Sequence, residues 1–199
     1  MIAADRAQAL RRRGLRLEYA TLGWNVVGSV VVLVAAWQAR SVALAGFGLD
    51  SMIEIVASLV VVWQLQEMHD LERERRALRV MGIAFLLLAA YVAAQSLYVL
   101  IVATHPHHSP AGIVWLGLTA VVMLALAAGK RRTGRALGNP VLETEGRVTL
   151  IDAFLAIAVL LGLILNAAFD WWWADPAAAF VIVYYGTREG WHVLHEAID

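Results

Sequence analysis

At 199 residues, 61% hydrophobic and only 16% charged, the chain is more apolar than a soluble domain, which must cover its surface with polar groups. Its mean hydropathy is +0.68, and its charges cluster between long apolar runs, the pattern of a helical membrane protein. Zero formal net charge gives no basis for a nucleic-acid partner, and the lack of cysteine excludes disulfides, thiolate metal sites and cysteine catalysis.

The start, Met1 to Arg16, is polar and arginine-rich, with no apolar core leading to a small-residue cleavage site. The first apolar segment is therefore read as a retained span and not a signal peptide. Six spans follow, at Glu18–Gln38, Val42–Gln66, Leu78–Ala103, Gly112–Gly129, Gly146–Ala168 and Pro176–Leu194. Each is near the ~20 residues that cross ~30 Å of hydrocarbon. The expected fold is an all-α membrane protein: a six-transmembrane-helix bundle forming one transport domain over residues 1–199, with no soluble domain.

Span one opens with Glu18 and Asn25 seven apart on one face, read as supporting or proton-path groups, with Glu18 alternatively an interface marker. A turn at Ala39–Ser41 makes spans one and two a tight hairpin. Span two carries Asp50 and Glu54, four apart and so one helical turn from each other on one face. The mixed-charge segment Glu67–Arg79, with His69 and Asp70, reads as an exposed helix extension. His105, His107 and His108 in the loop before span four are chiefly solvated groups, or else capture metal. Span five holds a third internal acid, Asp152. Asp175-Pro176 reads as the start of span six, with Asp175 as N-cap. His192 and His195 near the end of span six are three apart and are read as a helix end at headgroup level.

Fifteen of the sixteen basic residues fall on one side if the spans alternate; only Arg40 falls on the other. The positive-inside rule makes that side, and both termini, cytoplasmic. Trp37, Trp115 and Trp171 to Trp173 sit at outer ends, Trp63 and Trp191 near inner ends, as an interfacial belt requires.

Ionisable groups inside spans are expensive and functional by default. By this reading no arginine or lysine lies within the spans to neutralise Asp50, Glu54 and Asp152. Adjacent carboxylates in a low dielectric repel, and either a proton or a divalent cation relieves them. Competition between the two is the physical basis of metal/proton exchange. A single buried acid that stays protonated and packs by hydrogen bonding is the simpler alternative, but it fits three acids poorly.

The segment Asp50-Ser51-Met52-Ile53-Glu54, Asp152 in span five, and the stretch from Ala158 through Trp172-Trp173-Ala174-Asp175-Pro176-Ala177 resemble the cation diffusion facilitators, six-helix exporters of zinc and related divalent metals. In that family span two carries an acid or histidine, three residues, then an acid, and span five carries HxxxD. The resemblance implies a tetrahedral intramembrane site that opens alternately to each side. Glu54 stands in place of the usual aspartate within that motif. The first departure is Val148, which stands where the family's histidine belongs. Thr149, or Glu145 two turns from Asp152, is the expected replacement ligand, and an all-oxygen set favours harder or more varied metals. The family's cytoplasmic metallochaperone-like domain is also missing from the stretch ending at Asp199.

The expected function is thus divalent metal efflux, with metal/proton antiport through Asp50, Glu54, Asp152, Thr149 and Glu145. Zinc is the first-choice cargo, with Cd, Co, Fe or Mn as others; no prosthetic group and no enzymatic activity are expected. Its setting would be a cell membrane, that of a bacterial inner membrane, as a homodimer joined through transmembrane helices. The alternative is a non-transporting metal-sensing or accessory membrane subunit. An intramembrane lipid-headgroup transferase would need more acids and a basic phosphate-binding residue. The orientation is directly testable because the chain has no cysteine: Arg12→Cys should react with a membrane-impermeant thiol reagent only from the cytoplasmic face, and His108→Cys only from the opposite face.

Overall fold

The computed structural model describes residues 2–66, 71–103 and 105–196. His69 and Asp70, and the side chains of Arg6, Trp63, Arg73, Arg75 and Arg76, lie outside the described residues. Six helices follow in order: α1 (Ile2–Ala39), α2 (Val42–Gln66), α3 (Leu71–Val102), α4 (Pro110–Leu137), α5 (Pro140–Phe169) and α6 (Ala174–Glu196). Among the described residues, four contain stretches long and apolar enough to cross a membrane: Ala7–Ala39, Gly82–Val102, Pro110–Leu137 and Glu145–Phe169. α2 and α6, with 25 and 23 residues, reach about 35 Å at 1.5 Å per residue, also a bilayer's thickness.

The expected order of spans holds, but several helices overrun their apolar limits. α4 continues past Gly129 to Leu137, and α5 begins at Pro140 and not Gly146. The apolar run ends where charge begins, yet lysine and arginine are good helix formers, so the backbone continues into the headgroup layer. The α4–α5 turn is correspondingly tight. Gly138 takes a left-handed φ of 63° and its N–H bonds to the carbonyls of Arg135 and Gly134. The Asn139 side chain then caps α5 by accepting from the Leu142 N–H, with Pro140 next. The two helices run so close that a Cβ on Gly146 would sit 2.8 Å from the Arg131 backbone nitrogen.

α4 packs mainly on α5, α3 on α6 and α1 on α2, with α1 also against α4. One stripe of α1 faces inward: Glu18, Thr21, Asn25, Ser29, Val32, Ala36 and Ala39 are all buried. Their spacing of three and four keeps them on one side, polar at the inner half and apolar at the outer. The outer half joins a core of Phe47, Leu44, Leu116, Val159, Leu163 and Ile182. The opposite faces leave Val30, Trp37, Leu87, Ile101 and Val121 more than 60% exposed. Trp171, Trp173 and Trp191 are exposed too. Trp115 differs: it stacks on Trp24 at 5.0 Å between α1 and α4, because Gly28 leaves room for its ring.

Asp175 does not cap its own helix, since α6 already begins at Ala174. Its buried carboxylate instead accepts from the Ser41 hydroxyl and from the N–H groups of Val42 and Ala43, at 3.0 and 3.3 Å. Ser41 in turn accepts from the Leu44 N–H at 3.0 Å. The first turn of α2 has no acid of its own, so α6 supplies the charge that its N-terminus favours. Asp175→Ala should therefore destabilise the bundle by about 1–3 kcal/mol, read as a lower thermal-unfolding midpoint in detergent. Asp175→Asn, which keeps an acceptor oxygen, should lose less.

Candidate intramembrane cation site

α2 turns Phe47, Asp50, Ser51, Glu54 and Ser58 inward, and α5 turns Glu145, Thr149 and Asp152 inward; all are buried. The spacings four, three and one helical turn dictate this, because each set shares a face. Asp50, Glu54 and Asp152 line one cavity of about 30 Å³ with Tyr185 and Glu189 of α6, and Val148 forms part of its wall. That volume suits one water or one small ion. Glu189 was not anticipated from the sequence; it makes a fourth acid around the same space.

Glu54 is held from two sides. Asn25 Nδ2 donates to its Oε2 at 2.9 Å. The Thr149 hydroxyl lies 3.3 Å from its Oε1. Asp152 is different: its carboxyl abuts Glu54, yet neither of its buried oxygens has a hydrogen-bond donor among the described residues. Two carboxylates can bond to one another only through a shared proton or a cation. Among the described residues, no three acidic or histidine side chains are close enough to hold a metal ion as they stand. Binding one would need the α2 and α5 carboxylates to draw together.

The expectation that no basic residue enters the spans is corrected. Lys130 lies within α4 and is fully buried. Its Nζ is 3.0 Å from Glu18 Oε2 and 3.3 Å from Glu145 Oε1, and it donates to Thr149 Oγ1 at 3.1 Å. Thr149 also lies 3.0 Å from the Glu145 carbonyl. Its one proton can go to that carbonyl or to Glu54, while its lone pairs accept from Lys130. Glu145 and Thr149, expected beside the ion, are thus in this arrangement partners of the ammonium, and Glu18 is a buried ion-pair partner. The sequence did carry a signal: Leu116, Ala120, Met123, Ala127, Lys130 and Gly134 follow three-four spacing along the buried face of α4. Counting Lys130 as loop, because the apolar run ended at Gly129, hid it.

The outer histidines are tied to helix ends. The His107 N–H donates to the Ala39 carbonyl at 2.7 Å, and His105 stacks on Trp172 at 5.1 Å. His108 Nε2 is 3.2 Å from Asp170 Oδ1 at an exposed position. Asn166 anchors the same loop by donating to the Pro106 carbonyl at 3.1 Å. At the inner end, His195 Nδ1 is 2.8 Å from the Trp191 carbonyl one turn back.

A bundle of six long helices with acids and a lysine enclosed among them defines a multi-pass membrane protein with ionisable groups at its centre. Residues 78–199 match the cation efflux transmembrane domain, and the chain belongs to the cation efflux family. Its relatives include Transmembrane protein 163 of Xenopus laevis, 22% identical over 158 residues, or 78% of this chain and 56% of that protein. Another is the cation-efflux pump FieF of Shewanella oneidensis, 32% identical over 88 residues, or 44% of this chain and 29% of the pump. The chain thus covers about half or less of the length of these relatives.

The buried ion pair makes a sharp energetic prediction. Lys130→Met would strand Glu18 and Glu145 without their cation and should cost about 3–5 kcal/mol. The check is the unfolding midpoint in detergent, with Lys130→Arg expected to retain much of the stability.

Proposed function

We propose that the chain exports divalent metal cations from the cytoplasm in exchange for protons, with Asp50, Glu54 and Asp152 as the cargo's ligands. The observation that carries this reading is the Asp152 carboxyl against Glu54, without a hydrogen-bond donor among the described residues, on the wall of a cavity shared with Asp50. Such a cluster binds either protons or a divalent ion, because each relieves the same repulsion. Membership of the cation efflux family supports cation export as the purpose.

In this mechanism the empty site holds protons between its carboxylates. An ion arriving from the cytoplasm displaces them, since carboxylate ligands must be deprotonated to coordinate. The helices rock so that the cavity faces outward, the ion leaves, and protons take its place. Thr149 and Asn25 hold Glu54 during exchange, and Glu189 adds negative charge at the α6 wall. With Val148 in place of a nitrogen ligand the site is all-oxygen. It should therefore accept zinc alongside harder ions such as Mn, Fe and Co. A homodimer formed through the transmembrane helices in a bacterial inner membrane is the proposed assembly and setting, with both termini cytoplasmic.

The test is metal uptake into proteoliposomes. Asp50→Asn and Asp152→Asn should each lower apparent metal affinity at least as much as loss of a supporting group around a metal, roughly 10–100-fold. Wild-type transport by both variants would overturn the assignment. Because protons compete for the same oxygens, the KM for metal should rise as the pH on the loading side falls. A KM independent of pH would contradict proton exchange.

A further inference from the structure

The exchange just described has no use for Lys130, yet that residue is fully buried in the bundle. Its ammonium is surrounded as a bound cation would be, by oxygens of Glu18, Glu145 and Thr149 at 3.0, 3.3 and 3.1 Å, with no solvent exposure. These oxygens come from two helices, α1 and α5, while the ammonium comes from a third, α4. With the ammonium removed, two buried carboxylates and a hydroxyl would face one another, which is a second all-oxygen cation cluster. Thr149 joins this cluster to the first, since its hydroxyl reaches Glu54 on α2 at 3.3 Å.

Counting along α1 and α4 places the second cluster on the cytoplasmic side of the first. Glu18 is about 30 Å along its helix from Ala39, and Lys130 about 30 Å from Pro110, at 1.5 Å per residue.

We propose that Lys130 is a tethered cation that keeps the inner acidic cluster closed to metal and positions Glu54 through Thr149, so that the chain binds one cargo ion and not two. This rests on the carboxylate site proposed above. Lys130 is a positioning residue: it touches neither the cargo nor the cavity, and acts through Thr149 and through its charge. A positive charge close to a divalent ion weakens the ion's binding, which favours release. The ammonium thereby trades affinity for turnover.

The experiment is zinc titration calorimetry of the purified chain in detergent, paired with zinc transport kinetics in proteoliposomes. Wild type and Lys130→Arg should bind one zinc per chain. Lys130→Gln should bind a second zinc, with KM lowered on the order of tenfold and kcat lowered with it. Adding Glu145→Gln to Lys130→Gln should abolish the second zinc. If Lys130→Gln does not fold, Glu145→Gln alone carries the test. It leaves the ammonium with one carboxylate partner fewer, so KM should rise several-fold while the stoichiometry stays at one. A purely structural Lys130 would change the unfolding midpoint and kcat but leave stoichiometry and KM where they were, and that result overturns the proposal. A wild type that binds no zinc or other divalent ion overturns the carboxylate site itself, a separate failure.

Discussion

A lysine ammonium with no contact to solvent is tolerable only when its charge is matched, because moving one ion from water to the interior costs several kcal/mol even after relaxation. Lys130 is matched by Glu18 from α1 and Glu145 from α5, and it bonds to Thr149, which reaches Glu54 on α2. Four helices are thereby fixed to one charged atom. The tight α4–α5 turn follows from the same constraint. Gly138 reverses the chain, and Gly146 lets α5 approach α4 closely enough for Glu145 to meet the lysine. Asp175 holds the N-terminus of α2 to α6. α2, which carries Asp50 and Glu54, is thus held at its N-terminus by Asp175 and at mid-helix by the groups that contact Glu54.

Around Glu54 the polar groups are less well matched. Glu54 has two hydrogen-bonding partners, while Asp152, on the same small cavity, has no donor among the described residues. Glu18 and Asp152 both have buried oxygens without a hydrogen bond among the described residues, but Glu18 has the Lys130 ammonium at 3.0 Å to match its charge. Val148 lies on the wall of the same cavity, which Asp50, Glu54, Asp152 and Glu189 also line.

Much of the architecture was legible because apolar length and charge segregation act over whole helices. The six elements and the pairing of Asp50 with Glu54 on one face follow from periodicity alone. Asp152 could be added through the family resemblance, and Asn25 through its seven-residue spacing from Glu18. What escaped depended on where helices stop. Apolar length marks the edge of the hydrocarbon and not the end of the helix, so Lys130 was assigned to a loop although it continues the buried stripe of Met123 and Ala127. Glu189 escaped for a related reason, being near the polar end of α6, where charges read as interfacial. Asp175 was given a role local to its own helix, because capping another helix is a tertiary contact that sequence neighbours do not encode. The outer histidines are held by partners distant in sequence, such as Ala39 and Trp172.

The central claim is that the cargo sits with Asp50, Glu54 and Asp152 while Lys130 occupies the neighbouring acidic cluster. The most direct measurement is a crystal structure of the chain with zinc, the metal located by its anomalous scattering. The account predicts a single strong peak within coordination distance of carboxylate oxygens from both α2 and α5, with the Lys130 ammonium still between Glu18 and Glu145. A peak on Glu145 and Thr149 with Lys130 displaced, or a peak confined to the outer histidines, would contradict it.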